Sequence, residues 1–153
     1  MKRIALTLLL GVALPALADR LPLPADTPAS YAAECGSCHL AYPPALLSAG
    51  DWRRVMAGLD DHFGTDAAVD AQKRQEITAF LERRAGNAEK LGPAGDPPRI
   101  STTARFVRKH REVPARLWHD PRVKSAANCE ACHRGAADGN YSEHDIAIRE
   151  LKR

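Results

Sequence analysis

The pentapeptide pattern Cys-x-x-Cys-His occurs twice in this 153-residue chain, as Cys35-Gly36-Ser37-Cys38-His39 and as Cys129-Glu130-Ala131-Cys132-His133. This is the attachment pattern of c-type haem. The two thiols add across the vinyl groups, and the histidine after the second cysteine meets the iron as proximal ligand. The two motifs use all four cysteines of the chain. Cysteine pairs at this spacing also serve zinc sites, thioredoxin-like redox centres and plain disulfides. None of these requires a histidine directly after both pairs.

Two such plates also answer a deficit in the chain. Three Phe, three Tyr and two Trp are few large residues for a core. Each haem is a large apolar body, so the apoprotein is expected to fold poorly by itself.

The N-terminus reads as a secretory signal. Met1-Lys2-Arg3 is a basic start, Ile4 to Leu14 an apolar stretch too short to span a bilayer, and Ala16-Leu17-Ala18 a cleavage site. Residues 1–18 are therefore assigned to the signal peptide, with a mature chain beginning at Asp19. Such a signal implies export to the periplasm, and no other apolar run is long enough to cross a membrane. The net charge of +3 includes Lys2 and Arg3; without them 20 basic residues face 19 acidic ones. Four haem propionates would tip this mildly acidic. Nucleic-acid binding is not expected, because it calls for a strong basic patch with stacking aromatics.

The pattern of apolar residues and breakers predicts a mainly α protein. Leu21 to Pro28 reads as an extended leader, followed by a short helix over Tyr31 to Leu40 that carries the first haem motif. Asp51 is expected to cap a second helix, with Trp52, Val55, Met56 and Leu59 at helical spacing, running to His62-Phe63 and stopping at Gly64. A third helix is expected over Ala68 to Arg84, with Gly86 as its stop. Residues 92–98 hold three prolines and two glycines, which cannot propagate a helix or strand. A linker is placed there, between an N-terminal haem domain (19–91) and a C-terminal one (99–153). The latter opens with a helix over Thr102 to Arg111. A second haem helix follows the breaks at Pro114 and Pro121.

Histidines and methionines limit the sixth iron ligands. His39 and His133 are proximal, leaving His62, His110, His119 and His144. Once the signal is removed, Met56 is the one remaining methionine, so at most one haem is His/Met ligated. His62, at the end of the helix whose apolar stripe covers the first haem, is the candidate distal ligand there, with Met56 as its competitor. His110, four residues after Phe106, is the candidate for the second haem, with His119, His144 or an open position as competitors. Tyr31, Trp52 and Trp118 are read as packing residues, with an electron path at the haem edge as the alternative. The cluster Arg105, Arg108, Lys109 and Arg111 is read as a solvated helix face, or as a surface for propionates or an acidic partner.

Taken together, Glu34-Cys35-Gly36-Ser37-Cys38-His39, Ala41-Tyr42-Pro43-Pro44, Trp52, His62-Phe63-Gly64, Arg99-Ile100, His110, Asn128-Cys129-Glu130-Ala131-Cys132-His133 and Tyr141-Ser142-Glu143 resemble the bacterial dihaem cytochrome c family of small exported proteins. The resemblance implies two helical haem domains and electron transfer through two low-spin bis-histidine haems, paired His39 with His62 and His133 with His110. It also implies redox partners: an oxygen-binding monohaem cytochrome or a membrane b-type cytochrome. The expected function is that of an electron carrier and not an enzyme. The alternatives are a small dihaem peroxidase or reductase, or a gas-binding sensor, with one open iron. A zinc-stapled interaction protein is the alternative without haem.

Overall fold

The computed structural model describes residues 19–148. The expected signal peptide, 1–18, lies outside them, as does 149–153. Among the described residues the fold is helical, with no β-strand and two isolated bridges. Five α-helices follow in chain order: α1 (Ala29–Cys35), α2 (Ala49–Ala57), α3 (Ala71–Arg84), α4 (Ala88–Leu91) and α5 (Ala104–Lys109). Short 3-10 turns connect them, and from Ala115 onward such turns are the only helical structure among the described residues.

The longest helix, α3, shows why these segments become helices. Asp70 caps its start, accepting a hydrogen bond from the Lys73 amide at 2.9 Å. That bond holds the Asp70 carboxyl below its usual range. Arg83 and Arg84 close the last turn, where cations suit the helix dipole. Ile77, Phe80 and Leu81 fall on one face and are fully buried. They meet Trp52 and Met56 of α2, with Tyr31, Leu47, Leu59 and Ala94, in the larger apolar core. Phe80→Ala should cost about 3–5 kcal/mol, the usual range for truncating a buried aromatic. Denaturant unfolding of the haem-loaded protein measures it.

The second half holds a smaller cluster of Leu117, Val123 and Ile148, with Val113, Trp118, Ala131, Cys132 and Ile146 packed against it. Residues 92–98 lie between the two halves but are packed down. Ala94 is buried in the larger core, and its carbonyl accepts from the Arg99 amide and the Thr102 hydroxyl.

Several expected boundaries are corrected. α1 ends at Cys35, so the first haem motif starts on the last residue of a helix and continues over turns instead of lying within one. α2 is capped by Ser48, which accepts from the Asp51 amide, and not by Asp51. It ends at Ala57, five residues before His62, and a 3-10 turn (Leu59–Asp61) intervenes. α4 forms where no helix is expected from the sequence pattern, capped by Asn87. α5 spans six residues, with Thr103 as its cap and His110 just past its end. The second haem motif forms a 3-10 turn, Cys129–Ala131, and not an α-helix. The two longest helices, α2 and α3, form where a side-chain cap and a buried stripe coincide. The second haem motif has neither a side-chain cap nor a buried residue.

Candidate haem sites

Four histidines are brought together in two pairs. The rings of His39 and His62 have centroids 6.3 Å apart and planes 28° apart. Those of His110 and His133 are 6.1 Å apart and perpendicular, at 90°. A first-row metal–imidazole bond is about 2.0 Å, and a ring nitrogen lies about 1.1 Å from the ring centre, so two imidazoles on opposite sides of one iron have centroids about 6.2 Å apart. Both pairs therefore have the spacing of two axial ligands of a single haem iron.

His39 sits on the turn after α1. Its Nδ1 lies 2.8 Å from the Leu40 carbonyl, and the Tyr42 ring stacks on it at 4.8 Å. An Nδ1–H held by a carbonyl leaves Nε2 free for iron. The Tyr42 hydroxyl donates to the Ala127 carbonyl at 2.6 Å, 85 residues on and two before Cys129. The first proximal histidine is thereby braced against the second haem motif. Burial pushes the Tyr42 phenol up to about 12.

His62 is aimed by a tightly bonded loop. Its amide and carbonyl both pair with Thr65, and the Phe63 amide donates to the Asp61 carbonyl. Phe63 takes φ 57, a left-handed conformation that is uncommon for a bulky residue, and Gly64 follows at φ 89. The Arg99 guanidinium lies over the Phe63 ring, 3.8 Å from its centre, and holds it in place. Such strain belongs at functional positions. The loop replaces the helical phase by which His62 was expected to face the haem.

His110 caps the end of α5. Its Nδ1 lies 2.9 Å from the Phe106 carbonyl, and its ring stacks on the Phe106 ring at 3.9 Å. Opposite it, His133 has Tyr141 edge-on at 5.6 Å. The Ser142 main chain approaches His133 and favours its protonated form, but no partner meets hydrogen-bond geometry at its Nδ1. Burial lowers the pKa of His62, His110 and His133, which keeps them in the neutral form that binds metal.

The competing ligands are placed elsewhere. Met56 is buried in the larger core, and His119 and His144 are exposed on 3-10 turns. The four cysteines are free. Burial pushes the thiols of Cys35 and Cys129 up to about 11 and raises that of Cys132. An activated redox thiolate needs the opposite shift. Among the described residues, no three His, Cys, Asp or Glu converge as a metal cage.

A family model described as dihaem cytochrome c matches residues 31–141, a stretch that includes both motifs and all four paired histidines. The chain belongs to the dihaem cytochrome c family. Its cofactors are accordingly two c-type haems with iron, and the family's role is electron transfer. The chain is similar to the diheme cytochrome c from Shewanella baltica OS155 at 39% identity and a TM-score of 0.70, covering 82% of this chain and 95% of that one. A crystal structure of DHC purified from Rhodobacter sphaeroides matches at 39% identity and a TM-score of 0.65, covering 74% and 96%. No protein with a curated description matches.

Sequence reasoning used Tyr42 and Tyr141 as marks of the family resemblance and read Tyr31 as packing, and gave none of them a role at the histidines. Tyr42 and Tyr141 each lie against a proximal histidine, and Tyr31 donates to the Tyr42 carbonyl. The signal was their scarcity: all three tyrosines of the chain gather around the two haem motifs.

Proposed function

We propose that the protein is a periplasmic electron carrier with two low-spin haems. The first is attached at Cys35 and Cys38 with His39 and His62 as axial ligands. The second is attached at Cys129 and Cys132 with His133 and His110. The spacing of the two histidine pairs, 6.3 and 6.1 Å, carries this reading. When bound, each iron supplies a one-electron ferric–ferrous couple. The chain's own residues hold two neutral imidazoles to each iron, with Nδ1 of His39 and His110 kept by main-chain carbonyls. A filled sixth position excludes oxygen, peroxide and carbon monoxide from the metal. That favours electron transfer over peroxidase, reductase or gas-sensing chemistry. The two smaller units proposed from sequence, 19–91 and 99–153, each supply one histidine pair. The partners proposed are an oxygen-binding monohaem cytochrome or a membrane b-type cytochrome, as the family resemblance implies.

Optical spectra of the exported protein test this reading. Two haems per chain, low-spin ferric and ferrous bands, and no change when carbon monoxide is added to the reduced form are expected. A carbon monoxide complex at either haem would move the assignment to the enzyme or sensor class.

A further inference from the structure

Resting on the dihaem reading above, we infer that Tyr141 binds the second haem directly, its hydroxyl donating a hydrogen bond to one of that haem's carboxylates, and that an N-terminal strap, residues 19–22, holds it in position. The observation is an orphaned group. Of the three tyrosine hydroxyls, Tyr31 donates to the Tyr42 carbonyl and Tyr42 to the Ala127 carbonyl. The Tyr141 hydroxyl is buried and has no partner among the described residues. A buried hydroxyl left unpaired is costly, so native structures supply a partner for it. Tyr141 lines one cleft with His110, Cys129 and His133, which are the residues proposed to hold the second haem.

The chemistry of the group narrows what that partner is. In a c-type haem the ring nitrogens are bound to iron and the vinyl carbons to cysteine sulfur. The remaining hydrogen-bond acceptors are the carboxylates. Four charged residues line the same cleft: Asp19, Arg105, Lys109 and Glu143. Lys109 is paired with Asp19 at 3.1 Å, and Arg105 supplies a further cation beside an incoming carboxylate.

The strap explains how Tyr141 is held. The Tyr141 amide donates to the Asp19 carbonyl at 2.9 Å, and the Leu21 amide donates to the Gly139 carbonyl at 2.7 Å. Arg20 and Asn140 form an antiparallel bridge between these two bonds. The strap crosses Gly139 so closely that a Cβ there would lie 2.3 Å from the Pro22 Cα, and Gly139 itself takes φ 70. The Asp19–Lys109 ion pair ties the strap to α5, the helix that His110 caps. The first residues of the described chain thus form part of the second haem site, 110 residues away in sequence from its cysteines.

Resonance Raman spectroscopy of the haem-loaded Tyr141→Phe protein tests the inference, because the propionate bending bands respond to hydrogen bonds at the carboxylates. In Tyr141→Phe, one haem's band should move to lower frequency and that haem's reduction potential should fall, while haem content and the low-spin marker bands stay unchanged. Tyr31→Phe, whose hydroxyl is already satisfied by the Tyr42 carbonyl in the larger core, should leave the propionate bands unmoved. Gly139→Val, which displaces the strap without altering Tyr141, should reproduce the band shift. Unmoved bands in Tyr141→Phe would overturn the inference, as would an equal shift in Tyr31→Phe; unmoved bands in Gly139→Val would overturn the role of the strap. A parent protein without two low-spin haems would instead overturn the reading on which it rests, so the two failures are distinguishable.

Discussion

Replacing His110 with alanine should convert one of the two haems, and only one, to a high-spin ferric form that binds carbon monoxide once reduced. The His110 ring faces His133 at axial-ligand spacing, fixed by Phe106 through both its carbonyl and its ring. Alanine leaves nothing to reach the iron from that side. His119 and His144, the other candidates from sequence, are exposed on separate turns and should not take its place. Carbon monoxide uptake should rise from none to one per chain. Electron paramagnetic resonance assigns the haem that changes. Perpendicular axial planes leave two iron d orbitals nearly degenerate and give a strongly anisotropic low-spin signal, whereas near-parallel planes split them and give an ordinary rhombic one. The His110–His133 pair is perpendicular and the His39–His62 pair is 28° from parallel. His110→Ala should therefore abolish the anisotropic signal and keep the rhombic one, and His62→Ala should do the reverse. A six-coordinate, carbon-monoxide-inert His110→Ala protein would show that the sixth ligand comes from elsewhere.

The double substitution Cys129→Ala with Cys132→Ala should halve the covalent haem content and melt the second half of the chain, while the first half stays folded. The reason is the unequal distribution of core. The first half buries three helices' worth of apolar side chains around Ile77, Phe80 and Leu81. Beyond Lys109 there is no α-helix among the described residues, and the buried cluster there is Leu117, Val123 and Ile148. So small a core cannot offset the entropy of ordering that much chain without the plate it surrounds. Hydrogen exchange should show amides from Val113 to Asn140 unprotected and those of α3 still protected. Protection throughout the second half would mean that it folds without its haem.

Much of the chemistry was legible in the sequence because it is covalent and local. A Cys-x-x-Cys-His motif declares its cofactor within five residues, whatever the fold around it. The shortage of methionine and the count of histidines limited the remaining ligands by composition alone. α3 was legible in its buried stripe and its end, because both lie within one stretch of chain, although the cap at Asp70 starts it at Ala71 and not at the expected Ala68.

What the tertiary structure decided is everything that depends on residues far apart in the chain. His62 was named from a helix that in fact ends at Ala57; a strained loop, pinned by Arg99 from beyond the 92–98 stretch, aims it at His39. Tyr42 spans from the first proximal histidine to the carbonyl of Ala127. Residues 19–22, placed by sequence in the N-terminal domain (19–91), pair with 139–141 beside His133. Ring planes, spacings and braces of this kind are properties of packed surfaces, and packing joins segments whose meeting no local pattern records. The sequence by itself determined the cofactor and a short set of candidate ligands; the tertiary structure decided how each candidate imidazole is oriented and what holds it there.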